Sequence, residues 1–191
     1  MRIIAGNLRG RLLKSVHDLS VRPTTDRAKQ TIFDILSNRT VFDDLEVLDL
    51  FAGSGSLGLE AISRGVRSVT FIDKSRKSLN IVENNVKSLG CKSQCSLYQA
   101  DVFWYLKNIK RAYDLVFVDP PYKLENIGLL PNAVYDSAAV RNGSYVVMEH
   151  SRESVIELDE HKYEILKKTF GQTTVLILKA FVPPIKFKDV K

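Results

Sequence analysis

A chain of 191 residues, 45% hydrophobic and 26% charged, has the length of one ordinary domain and enough apolar content to bury a core. It has no apolar stretch of the roughly 20 residues that span a bilayer, no apolar run behind the basic N-terminus to mark a secretory signal, and no histidine near its two cysteines, Cys91 and Cys95. A cytoplasmic protein with reduced thiols, no membrane association and no metal site is expected. The net charge of +6 is uneven, because residues 1–40 hold eight Lys or Arg against three Asp, while the remainder holds 20 basic against 19 acidic residues. A positive front end is the footprint expected for a phosphate backbone, with a solvated charged face as the alternative.

In chain order, Arg2 to Ala5 and Arg11 to Lys14 flank the turn Gly6 to Gly10 and read as a β-hairpin with Arg9 and Arg11 near its tip. Val16 to Thr24 reads as a polar loop. Thr25 or Asp26 can cap a helix running to about Leu36, with Ala28, Ile32, Phe33, Ile35 and Leu36 on its apolar face. Residues 1–40 thus form an extension, and a core covers 41–182. In that core strands at 46–51, 68–73, 95–99 and 113–118 alternate with helices at about 56–64, 75–89 and 101–110. Strands that are apolar almost throughout, interleaved with helices, predict a doubly wound parallel sheet whose ligand lies beyond the strands' carboxyl ends. After an irregular segment with Pro131 come a strand at 144–149 and an antiparallel hairpin, Tyr163 to Thr169 with Thr173 to Phe181, at the sheet edge. Residues 183–191 read as a basic tail.

The stretch Glu46 to Gly65 (EVLDLFAGSGSLGLEAISRG) is a strand, a small-residue turn over Ala52 to Ser56 and a helix. Gly53 and Gly55 permit a tight turn with backbone N–H groups close to a ligand, and Gly58 lets the helix lie against its strand. The Gly53, Gly55, Gly58 spacing serves both nicotinamide dinucleotides and S-adenosylmethionine. Asp73, ending the second strand, can take the ribose hydroxyls of either cofactor, or cap the next helix. Asp101 reads equally as an acceptor at an adenine amino group and as a helix cap. Asp49, inside the first strand, is a buried carboxylate needing backbone N–H groups or a ligand amino group as partners.

The motif Asp119-Pro120-Pro121-Tyr122 after the apolar strand decides between the cofactors. Two prolines fix the backbone and remove two N–H donors, so a carboxylate and rigid carbonyls face the cleft as acceptors beside an aromatic ring. Such a receptor suits the planar NH₂ group of a stacked base, which favours an amino-group methyltransferase over a nicotinamide enzyme. His150, beyond the 144–149 strand, is assigned a surface or capping role rather than that of a base.

With RIIAGNLRGR at the front, VRPTTDRAKQTIFDIL, VLDLFAGSGSLGLEAISRG and DPPY in that order, residues 1–182 resemble the RsmD family of bacterial 16S rRNA guanine-N2 methyltransferases. The resemblance implies a Rossmann-like, seven-stranded S-adenosylmethionine-dependent fold. It implies methyl transfer to the exocyclic N2 of one guanine in 16S rRNA, within the small subunit or its assembly intermediate. On it, Asp49, Ala52, Gly53, Ser54, Gly55, Gly58, Asp73 and Asp101 map to the cofactor, and Asp119, Pro120, Pro121 and Tyr122 to the target base. The basic residues Arg9, Arg11, Arg22 and Arg27 are the expected RNA contacts. Two alternatives stand beside this reading: an amino-methyltransferase for another nucleic acid, such as adenine N6 in DNA, and a non-catalytic RNA-binding assembly factor on the same fold.

Overall fold

The computed structural model describes residues 1–15, 26–121 and 123–183. The predicted loop 16–24 and residues 184–191 of the tail lie outside these, as do Arg22 and Tyr122. Seven strands form one sheet: β1 (Glu46–Leu50), β2 (Ser68–Asp73), β3 (Cys95–Gln99), β4 (Tyr113–Val118), β5 (Val140–Ser151), β6 (Tyr163–Phe170) and β7 (Thr173–Ala180), in the order β3-β2-β1-β4-β5-β7-β6. The first five pair in parallel, and β7 runs antiparallel to both β5 and β6. Strand polarity explains who sits at the edges. β7 is buried along most of its length and lies inside, whereas β3 and β6 are half-exposed and form the two margins.

Alternation along the strands sorts side chains into two apolar layers. Val47, Phe71, Phe117 and Val147 face α1 (Asp26–Ser37), α2 (Ser56–Ser63) and α3 (Arg76–Leu89). Leu48, Leu50, Ile72, Val118 and Met148 face α4 (Val102–Asn108) and α5 (Leu130–Tyr135). In α1 the predicted residues Ala28, Ile32, Phe33 and Leu36 are buried, and Phe33 meets the rings of Phe42 and Phe117 at 5.7 Å each. Burying rings of this size adds about 0.5–1.5 kcal/mol per aromatic pair beyond the area term. No helix among the described residues is long and apolar enough to cross a membrane.

Three expectations need correction. The N-terminal hairpin is reduced to a single bridge, Arg2 to Leu12, with Ile3 N–H donating to Arg11 O and Gly10 N–H to Ile3 O. Several of its other backbone groups bond to side chains of the core: Ile4 and Ala5 N–H donate to Glu60 at 2.8 and 3.0 Å, Leu8 N–H to Ser63 Oγ, and Lys14 N–H to Asn85 Oδ1. β5 starts at Val140 rather than Ser144, because a bulge around Gly143 lets Ser144 Oγ donate to Tyr113 O and accept from Arg141 N–H. The same strand runs on to Ser151, which places His150 inside the sheet opposite Thr174, buried rather than on the surface.

Candidate active site

Strand order reverses between β1 and β4, and the crevice at their carboxyl ends collects the acidic residues. β1 ends at Leu50. Phe51 then adopts φ 59°, a left-handed conformation that costs a non-glycine residue about 1–2 kcal/mol. Gly53 and Gly55 follow at φ 55° and 78°, and α2 begins at Ser56. Ala52 N–H donates to Ile72 O at 3.0 Å, so the loop is fastened to the end of β2.

Asp73 fixes this loop from below. One carboxylate oxygen accepts the Gly53 N–H at 2.9 Å and the other accepts the Ser75 N–H at 2.8 Å. The cap of α3 is Ser75, whose hydroxyl accepts from Ser78 N–H, so Asp73 is not that cap. Each Asp73 oxygen keeps lone-pair capacity for a further donor. A Cβ on Gly53 would meet nothing nearer than Phe51 O at 3.8 Å, which leaves the space above this turn open. A ribose diol fits such a site: two acceptors, an open backbone and no side chain in the way.

The other glycines act underneath. Gly55 packs towards Val82, Leu59 and Phe71, and a Cβ on Gly58 would lie 2.4 Å from the Phe71 ring, so Gly58 permits the close approach of α2 to β2. Ser54 is turned away from the crevice: its carbonyl accepts from Asn85 Nδ2 at 2.9 Å and its hydroxyl lies 3.4 Å from Met1 sulfur. Asp101 caps α4, accepting from Trp104 N–H at 3.1 Å, and its remaining acceptor capacity stays at the exposed end of β3.

Asp49 is buried and accepts the Gly58 N–H at 3.0 Å. Burial holds its carboxyl well above the ordinary range, the carboxylates of Asp119 and Asp73 push it the same way, and the Gly58 N–H opposes them. A cationic partner beside this cluster of carboxyl groups would favour the charged form of Asp49. Asp119, half-buried at the end of β4, has its backbone N–H 3.5 Å from Leu50 O, so the Asp119-Pro120-Pro121 turn is tied to the residue from which the glycine loop departs.

Two buried groups escaped the sequence reading. Glu149 lies two residues beyond Val147, on the face of the sheet that Phe117 and Asp49 share, and is buried. Lys29, on the face of α1 read as apolar, is fully buried, donating to Arg2 O at 2.7 Å and lying 3.4 Å from Glu60. Among the basic candidates, Arg9 is exposed and Arg27 is exposed on α1, whereas Arg11 Nη2 donates to Ser88 O at the last turn of α3. A cleft of about 340 Å³ between the N-terminal segment and α1, lined in part by Arg2, Arg9, Asp26 and Gln30, lies apart from the strand ends. The carboxylates gather instead at the strand ends. No group of His, Cys, Asp and Glu among the described residues is placed to hold a metal.

Sheet order, antiparallel β7 and the crevice define the class: an α/β protein with the Rossmann-like methyltransferase fold. Residues 1–179 match the family described as Conserved hypothetical protein 95. YlbH of Bacillus subtilis is 36% identical over 185 residues, covering 94% of this chain and 98% of that protein. Ribosomal RNA small subunit methyltransferase D of Buchnera aphidicola is 30% identical over 170 residues, covering 89% and 88%. Among solved structures, the yhhF protein of Escherichia coli superposes with a TM-score of 0.81 at 29% identity, over 96% of this chain and 99% of that one. The chain belongs to this family, the RsmD family.

Proposed function

We propose that this protein is an S-adenosylmethionine-dependent methyltransferase acting on the exocyclic N2 amino group of one guanine in small-subunit rRNA. The observation that supports the reading most is the attachment of Asp119-Pro120-Pro121 to Leu50, which brings these acceptors beside the glycine loop that Asp73 holds. The names of relatives such as the Buchnera aphidicola enzyme support the rRNA substrate.

Bound S-adenosylmethionine supplies a methyl group on a sulfonium, a good leaving group, and the protein's task is alignment. Asp73 would receive the ribose hydroxyls, Asp101 the adenine end, and Asp49 the cationic amino-acid end. Asp119 and the Pro120 carbonyl accept the two hydrogens of the guanine amino group, which holds the nitrogen lone pair towards the methyl carbon. Tyr122, next in sequence, supplies the stacking ring. The methylated nitrogen would be acidic enough to give its proton to water. No histidine base is needed. Positioning of this kind lowers a barrier by roughly 7–11 kcal/mol.

The test supplies methyl-labelled S-adenosylmethionine with small subunits, naked 16S rRNA or DNA, followed by nucleoside analysis. Label in N2-methylguanosine from rRNA is the expected product. Label in N6-methyladenosine, or transfer to DNA alone, contradicts the assignment, and absence of transfer to any of the three leaves an RNA-binding assembly factor.

A further inference from the structure

The front end does not hold all of the excess charge. Residues 74–111 carry eight Lys or Arg against two acids, Glu83 and Asp101, a net of +6 that equals the net charge of the whole chain. Both acids are engaged: Glu83 lies 2.9 Å from Lys87, and Asp101 caps α4. Lys74, Arg76, Lys77, Lys92, Lys107 and Lys110 are exposed and form no ion pair among the described residues. These residues surround β3, the margin of the sheet, together with the flanking helices α3 and α4.

The same margin carries exposed aromatic rings. Tyr98, on β3, is 54% exposed and Trp104, on the first turn of α4, is 62% exposed. Tyr98 lies 6.4 Å from the ring of Tyr105, whose hydroxyl reaches Tyr113 at 3.4 Å. Tyr105 is the half-buried ring of this group, and Tyr98 and Trp104 are the exposed ones. Exposed rings embedded in unpaired cations do not suit an apolar protein contact, and a second copy of this face is excluded by its own charge. They match single-stranded nucleic acid, whose bases stack on rings while its phosphates meet cations.

We propose that the β3–α4 margin is a second RNA-docking surface, where a single-stranded segment of the substrate rRNA stacks on Tyr98 and Trp104 and runs its phosphates along the surrounding lysines. The inference rests on the rRNA reading above and adds to it. Trp104 is three residues from Asp101, so the strand docked here passes the exposed end of β3 on its way to the crevice.

Trp104 is the only tryptophan in the chain, so stacking is visible directly. The full-length protein, saturated with S-adenosylhomocysteine to fix the contribution of the cofactor site, is titrated with 16S rRNA and with a short single-stranded RNA. Expected are quenching of the tryptophan emission, a drop of about tenfold in RNA affinity for Trp104→Ala, retention for Trp104→Phe, and unchanged cofactor affinity in both. Lys107→Gln with Lys110→Gln should flatten the dependence of log affinity on log salt by about 0.7 for each phosphate no longer neutralised. Unquenched emission together with full affinity in Tyr98→Ala/Trp104→Ala overturns the inference while leaving the proposed function standing. A double variant that loses binding to the small subunit but not to naked rRNA also overturns it, assigning the patch to a ribosomal protein. A wild-type protein that binds no rRNA overturns both readings.

Discussion

The side-chain amide of Asn85, buried on α3, donates to the carbonyl of Ser54 in the glycine loop at 2.9 Å and to the carbonyl of Lys14 at 2.9 Å, while its oxygen accepts the Lys14 N–H at 2.8 Å. One residue thus joins the N-terminal segment to the loop proposed to hold the cofactor. Asn85→Leu keeps the size and strands three backbone groups, each of which costs about 1–3 kcal/mol when buried without a partner. The expected result is a lower urea midpoint with an unchanged slope, and weaker S-adenosylmethionine binding by calorimetry. Stability equal to wild type would show that the clamp contributes nothing.

Gly6 makes the second anchor. At φ 79° a Cβ there would sit 1.7 Å from the carbonyl oxygen of Ser63, the same oxygen that accepts the Asn7 N–H at 2.7 Å. Gly6→Ala should lift the segment from α2, lowering the melting temperature and speeding trypsin cleavage after Arg9 and Arg11. Gly10→Ala serves as the control: φ is 84° but nothing lies within 4 Å of the added carbon, so only the left-handed cost of about 1–2 kcal/mol applies. Equal effects of the two substitutions would rule out the close contact with Ser63 as the cause.

The buried carboxyl of Asp49 makes the free protein's stability depend on pH. Its folded pKa is raised above the ordinary value, so the folded state binds the extra proton, and stability falls as pH rises from about 4 through the raised value. Asp49→Asn removes that loss while retaining an acceptor for the Gly58 N–H. The variant should be more stable than wild type at pH 8, with the difference shrinking towards pH 4, and should bind S-adenosylmethionine more weakly. Thermal unfolding across pH checks this; a difference that grows on acidification contradicts it.

Much of the sheet was legible because its signals are local. The apolar runs Val47 to Phe51 and Val116 to Val118, the glycine turn and the cap at Asp101 depend on residues within a few positions, and alternation of strands and helices gave the parallel core. The N-terminal segment was not legible, since Glu60, Ser63 and Asn85, which satisfy its backbone, lie 55–71 positions away. Lys29 was hidden for the same reason: its partner is Glu60 on another helix. The burial of His150 follows from the pairing of the far end of β5 with β7 at Thr174, a contact distant in sequence. The basic margin at β3 was legible in principle, but a net charge summed over residues 41–191 averages it with acidic segments on either side.

Asp119 is the residue proposed to orient an amino group for methyl transfer, and single-turnover transfer to small-subunit rRNA by Asp119→Ala tests that role most directly. Removal of one preorganised polar partner predicts a fall of two to three powers of ten in rate, about 2.7–4 kcal/mol, with S-adenosylmethionine affinity nearly unchanged. A folded Asp119→Ala variant that transfers methyl groups at close to the wild-type rate would refute the amino-group receptor and leave Asp119-Pro120-Pro121 a structural turn.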